Sequence, residues 1–174
     1  MQKVTKYVVF ETRWGYFGLA GTESVLCRTC LAAPKRRNAE THLLRDLSGA
    51  QFDRAFFKSL QGQIAAYYEG ACVNFGPEIR VSLDGFRPFS VSVLKTCRQL
   101  KFGQTISYGD LADRSGRPAA GRAVGGALAK NPLPLVIPCH RVLGADGNLG
   151  GFSAPGGTAV KRRMLELERQ ALCT

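Results

Sequence analysis

Residues 107–130 read SYGDLADRSGRPAAGRAVGGALAK, and residues 131–142 read NPLPLVIPCHRV. In the first stretch Ser107 is placed to cap a helix running from Tyr108 to about Arg114. Gly116-Arg117-Pro118 makes a turn. Ala119 to Lys130 is rich in alanine and glycine and can still be helical if it packs closely. Two short helices joined by a glycine-containing turn fit a helix-turn-helix. Its second helix carries Arg122 and Lys130 and could lie in a DNA groove; an ordinary helical hairpin has the same pattern. The second stretch differs in kind. Three prolines and an apolar run predict a rigid, buried, non-helical segment, with Cys139-His140 at its end.

Upstream of this block, Phe89, Val93, Leu94, Cys97 and Leu100 have helical spacing, and Gly103 stops that helix. Further back the texture changes. Residues 4–33 alternate and are rich in β-formers, from Val4 through Tyr7, Val8, Val9 and Phe10 to Trp14–Leu19, and predict a small antiparallel sheet. Gly21-Thr22 reads as a turn before Val25, Leu26 and Cys27. Pro34-Lys35-Arg36-Arg37-Asn38 breaks the sheet. A helix is expected from about Ala39, and a second from Phe52 to Tyr68. Ile79, Val81 and Leu83 alternate like a strand, and Asn74–Pro88 reads as a connection between domains. The expected fold class is therefore α/β in two parts: a small N-terminal α/β domain, residues 1–84, and a mostly helical C-terminal domain, residues 85–174, with the helix-turn-helix and Cys139. Downstream, residues 147–157 hold five glycines, as in a loop over a site or an ordinary surface loop.

The 174 residues are 45% apolar with ten phenylalanines, enough for a real core. No apolar run approaches the roughly 18 residues of a membrane span, and the N-terminal stretch lacks the apolar core of a signal peptide. The expectation is a cytoplasmic protein, nucleoid-associated in a prokaryote, without a membrane partner. Its six cysteines are then expected to be free thiols. The net charge of +11 is uneven: residues 1–85 hold 11 Lys/Arg against 8 Asp/Glu, and residues 86–174 hold 13 against 5. A basic half suggests a polyanionic partner such as nucleic acid. A basic surface with no partner gives the same count.

A thiol becomes a strong nucleophile as thiolate, so Cys139 needs a base or a positive environment. His140 could supply the base, directly or through a water, and Arg141 adds positive charge nearby. Adjacent side chains often point apart, so Cys139 also reads as a buried structural thiol.

Pro138-Cys139-His140-Arg141-Val142 resembles the active-site signature of the O6-alkylguanine-DNA alkyltransferases, the methylated-DNA–protein-cysteine methyltransferases. Residues 102–112, FGQTISYGDLA, resemble that family's first DNA-binding helix and its lead-in. Arg122-Ala123-Val124-Gly125-Gly126-Ala127-Leu128 resembles its recognition helix. Asn131-Pro132, Gly151-Phe152-Ser153 and the helix Lys161–Glu168 follow in the family's order. The resemblance covers roughly residues 86–169. Residues 1–85 match only in general form, as the ribonuclease-H-like α/β domain such proteins carry in front.

The resemblance implies a suicide reaction on double-stranded DNA containing O6-alkylguanine, with O4-alkylthymine as a further substrate, and no cofactor or metal. Cys139 accepts the alkyl group once. His140 acts as base through a water, Glu168 holds His140, and Asn131 fixes the active-site turn. The flipped base needs its place filled, a task the resemblance assigns to Arg122. Tyr108 crowds the 3′ phosphate or hydrogen-bonds the guanine ring. Ala123 and Gly125 lie along the DNA, and backbone near Val142 together with Ser153 reads the guanine edge. The protein is expected to act as a monomer. Read without the resemblance, Glu168 is a solvent-facing helix acid with Glu166 as its competitor, Tyr108 a first-turn aromatic, Arg122 a phosphate contact and Ser153 a turn residue. Phe152 departs from the tyrosine common in the family, and the loop from Ser153 to Gly157 is longer than in some members.

Two other classes fit part of the pattern. A lesion-binding adaptor would leave Cys139 unalkylated. A helix-turn-helix regulator would prefer one sequence over another. Cys27-Arg28-Thr29-Cys30 with His42 and Cys72 does not complete a known zinc spacing, and buried strand thiols are the default. Lys35-Arg36-Arg37 reads as a phosphate contact or a solvated basic loop.

Overall fold

The computed structural model describes residues 5–172. Val4, read above as the start of the sheet, lies outside them. The chain divides into two compact units, Met1–Ser82 and Leu83–Thr174.

The first unit is an antiparallel sheet of β1 (Lys6–Thr12), β2 (Gly15–Thr22) and β3 (Val25–Ala33), joined by tight turns at Arg13-Trp14 and Glu23-Ser24. Gly21 and Thr22 are strand residues, not the expected turn. Gly21 is glycine because a Cβ there would stand 2.2 Å from the carbonyl oxygen of Val25 on the neighbouring strand. Helix α1 (Arg36–Leu43) starts three residues before the position expected from the leucine pattern, so part of the basic run is its first turn. Arg36 is thereby spent on structure: it donates to the carbonyl of Val9 and stacks over Tyr16.

The segment at Phe52 also differs from expectation. Gln51–Phe52 form β4, parallel to β1 at the sheet edge, and α2 spans only Lys58–Tyr68. Phe57, in left-handed backbone at φ 50°, separates the two. Of the strand expected around Ile79–Leu83, only a bridge between Val81 and Leu26 forms. The sheet is covered on both faces, which is why Phe17, Leu19 and Ala20 are all fully buried. Phe17 meets Tyr68 of α2, whereas Gly18 on the opposite face lies against Leu43 of α1.

The second unit is mostly helical: α3 (Pro88–Arg98), α4 (Tyr108–Arg114), α5 (Gly121–Leu128) and α6 (Gly157–Leu172). Pro88 starts α3, where a missing N–H costs nothing. Ser107 caps α4 as expected: its Oγ accepts from the Asp110 N–H at 3.0 Å and donates to the Asp110 carboxylate. Helix α5 begins two residues later than the composition suggested, because Ala119 takes φ 62°. Val93, Leu94, Cys97, Leu111, Val124 and Leu128 are buried, and α3 packs on both helices of the helix-turn-helix.

A two-residue strand, β5 (Ile106–Ser107), pairs in parallel with β6 (Val142–Leu143). This pairing matters most for the site. It ties the cap of α4 to the chain just after Cys139-His140-Arg141, which forms a single 3-10 turn at the end of the segment expected to be non-helical. Helix α6 supplies a stripe of Lys161, Met164 and Glu168, all buried, and packs on that turn. Among the described residues no helix is long and apolar enough to cross a membrane.

Candidate active site

Asn131 builds the segment that presents Cys139. Its Oδ1 accepts from the Leu133 N–H at 3.0 Å, and its Nδ2 donates to the Ile137 carbonyl at 2.9 Å. One side chain thus clasps both ends of a tight turn. Inside it, buried Leu135 takes φ 77°, a conformation that strains a bulky side chain by about 1–3 kcal/mol. The clasp and the neighbouring prolines hold that strain in place.

Cys139 opens into a cavity of about 610 Å3. Tyr108 of α4 and Arg122, Gly125 and Leu128 of α5 line one side; Gly151, Phe152 and Ser153 line another. Arg122 and Ala123 are exposed on α5, and Ala123 lies outside the cavity lining. Ser153 donates its hydroxyl to the Ala129 carbonyl at 2.9 Å, tying the loop to the end of α5. Val142 is fully buried behind the cavity rather than in its lining, and its carbonyl accepts from Lys161.

Behind Cys139 lies a fully buried polar cluster. His140 Nε2 and Glu168 Oε1 are 2.7 Å apart. Glu168 is therefore no solvent-facing acid; the exposed one is Glu166, paired with Arg169. Arg141 donates to Glu168 from Nε at 3.0 Å to Oε2 and from Nη2 at 3.0 Å to Oε1, and gives Nη1 to the Leu100 carbonyl. Gly103, at φ 74°, turns its N–H to Glu168 Oε2 at 3.0 Å. Burial works to raise the Glu168 carboxyl, but hydrogen bonds and charge from His140 and Arg141 outweigh it and hold it at about 2.

The consequence for His140 is specific. Glu168 is an anion that only accepts, so the proton of the imidazole sits on Nε2. Burial lowers the His140 pKa, outweighing the hydrogen bond and charge of Glu168 that raise it, so around pH 7 the ring is neutral. Nδ1 is left as the basic nitrogen. Burial pushes the Cys139 thiol up; a hydrogen bond from Asn131, the charge of Lys161 and local backbone N–H groups pull against it.

The structure brings Cys139, Tyr108, Arg122, Gly125 and Ser153 to one cavity, pairs His140 with Glu168, and sets Asn131 on the turn that presents Cys139. Two residues escaped the sequence reading. Arg141 is the bidentate partner of Glu168, not a diffuse positive charge. Lys161 is fully buried on the same helical face as Glu168; its seven-residue separation from Glu168 was the available signal. Cys27 is half-buried, Cys30 lies in the core under α1, and Cys72 is exposed.

Fold and site together define a helix-turn-helix protein that carries, in the wall of a pocket, a cysteine backed by a histidine–carboxylate pair. A profile of the DNA-binding domain of 6-O-methylguanine DNA methyltransferase matches residues 88–170. The methylated-DNA–protein-cysteine methyltransferase of Mycobacterium tuberculosis is 36% identical over 163 residues, covering 94% of this chain and 92% of its own. The protein of the same name from Methanosarcina acetivorans is 32% identical over 162 residues, 93% of this chain and 97% of its own. The crystal structure of Mycobacterium tuberculosis OGT in complex with DNA matches with a TM-score of 0.79 at 34% identity, covering 95% of this chain and 94% of that one. The chain belongs to the methylated-DNA–protein-cysteine methyltransferase family.

Proposed function

We propose that this protein repairs duplex DNA by moving the alkyl group of O6-alkylguanine onto its own Cys139, once per molecule. The observation that carries this reading is the shared cavity: Cys139 stands in the same pocket as Tyr108 of the first DNA-binding helix and Arg122 of the second. A base flipped out past Arg122 would enter against the thiol.

The chemistry follows from the buried cluster. His140 Nδ1 takes the thiol proton through a bridging water, and Glu168, fixed by Arg141, stabilises the imidazolium that forms. The thiolate attacks the O6-alkyl carbon in line. The S–C bond forms, the C–O bond breaks, and its electron pair stays on the guanine, which takes up a proton as it leaves. The thioether is stable, and no group in the site is suited to cleave it, so the protein is consumed.

Tyr108 faces the purine or its 3′ phosphate. Ala123, with its single methyl, and Gly125, with no side chain, let the duplex approach α5 closely. The Ser153 hydroxyl is engaged with Ala129, which leaves its backbone N–H for the guanine edge. O4-alkylthymine offers the same reacting carbon. The protein acts as a monomer with the chromosome, in the cytoplasm.

Flipping costs a few kcal/mol, less at a damaged pair. Arg122→Ala therefore slows transfer from duplex by about tenfold or more, with a much smaller loss from single-stranded substrate; stopped-time single-turnover assays on both substrates check this. Equal losses on the two would mean that Arg122 only contacts phosphate. The reading itself is tested by digesting an O6-methylguanine duplex after incubation and quantifying nucleosides. Guanine restored one-for-one with protein, without turnover, is the expected result; a lesion left intact on the bound duplex would favour a lesion-binding adaptor.

A further inference from the structure

One buried charge takes no part in the proton chain from Cys139 to Glu168. Lys161 of α6 is fully buried. Its Nζ donates to the Val142 carbonyl at 2.6 Å and to the Leu149 carbonyl. Among the described residues no ion pair engages it. A buried ammonium held only by carbonyls is costly to maintain, and lysine is almost never fully buried without a partner charge.

Its surroundings give a reason. The two carbonyls stand at either end of residues 142–149, the loop that leads into Gly151, Phe152 and Ser153 of the cavity wall. Nζ also lies 5.7 Å from the centre of the Tyr108 ring and 6.0 Å from that of Phe152, the cavity's two aromatic walls. We propose that Lys161 is a positioning residue for alkyl transfer, pinning the loop wall of the pocket and fixing a positive charge behind its aromatic walls, within electrostatic reach of Cys139. The proposal rests on the alkyl-transfer reading. During transfer, negative charge forms on the Cys139 sulfur and passes to the departing guanine, and a preorganised cation beside that path favours both.

The other charged and titratable groups facing this spot are few. Tyr108 comes from α4, Cys97 from α3, and Cys139 and His140 from the 3-10 turn; the Arg141–Glu168 pair balances itself. Burial lowers the Lys161 ammonium, and the neighbouring Cys139 and Cys97 raise it in return. Lysine and thiol therefore favour each other's charged forms.

The test compares Lys161→Met, which removes charge and hydrogen bonds, with Lys161→Gln, which keeps an N–H donor without the charge. Iodoacetamide alkylation of Cys139 is followed against pH by mass spectrometry, alongside single-turnover transfer, duplex affinity and melting temperature. Both variants should move the rising limb of the iodoacetamide profile up by about one pH unit and slow reaction at neutral pH about tenfold, with duplex affinity retained. A limb at the wild-type position in either variant, whatever its rate or melting temperature, would overturn the proposal, because Lys161 would then be structural only. Wild-type protein that reacts with iodoacetamide but never takes a methyl from DNA would defeat the alkyl-transfer reading instead.

Discussion

Cys139→Ala ends alkyl transfer outright. Among the described residues Cys139 is the only cysteine lining the cavity. The nearest electrostatic neighbour of its kind, Cys97, is fully buried in α3, where burial drives its thiol far above the ordinary range and leaves it inert. Among the described residues no second thiol of the cavity wall can stand in. The change from cysteine to alanine removes one atom at a half-buried position, so its cost in stability is small, about 1 kcal/mol or less. Lesion-duplex affinity should stay within about threefold, since binding draws on phosphate contacts and α5 rather than on the thiol. Electrophoretic mobility shift with an O6-methylguanine duplex checks the affinity, and the same mixture checks the loss of transfer. Residual transfer in this variant would move the acceptor elsewhere.

Glu168→Ala has the largest effect on the fold. Four donors converge on this carboxylate: His140 Nε2, Arg141 Nε and Nη2, and the Gly103 N–H. Removing it leaves a buried guanidinium with no counter-charge, which costs about 3–5 kcal/mol. For a chain of this size the melting temperature falls by on the order of 10 °C. Transfer falls as well, because the imidazolium loses its stabiliser.

The same cluster sets a pH dependence. A carboxyl held at about 2 in the fold, against 4.5 ordinarily, contributes stability above pH 4.5 and loses it as pH falls through about 2. The contribution is on the order of 3 kcal/mol. His140 acts in the same direction: its lowered pKa means that acid favours the unfolded chain below its ordinary value of 6.5. Denaturant melts from pH 7 to pH 2 should show stability falling with acid, and Glu168→Gln should flatten the part of that fall below pH 4.5. An unchanged acid slope in Glu168→Gln would mean that the carboxylate is not the group being titrated.

Much of the fold was readable where local chemistry and tertiary structure agree. The alternation from Tyr7 to Ala33 became the sheet, and Ser107 became a cap, because a strand period and an N-cap are local signals. The misreadings have physical causes. Gly21 looked like a turn residue, but it is small because the next strand crowds it. Phe52 looked like the start of a helix, yet its backbone completes the edge of β1, a pairing that no local pattern reveals. Ala119 carries a positive φ that its identity does not advertise.

The site shows the same division. Cys139, His140 and Asn131 sit in one continuous stretch, and family resemblance pointed to their roles. The choice of Glu168 over Glu166 depended on the phase of a helix, and resemblance supplied that too. The spacing of Lys161 from Glu168 signals a shared helix face, but the roles of Arg141 and Lys161 depend on which way a buried cation turns. Only the packing of α6 against the 3-10 turn decides that.

Alkyl transfer to Cys139 is covalent and has a direct readout. Intact-protein mass spectrometry after incubation with duplex DNA holding a single O6-methylguanine should show the gain of one methylene mass, localised by digestion to the peptide containing Cys139 and absent from Cys139→Ala. A protein that binds the lesion duplex and emerges with its mass unchanged would contradict the claim.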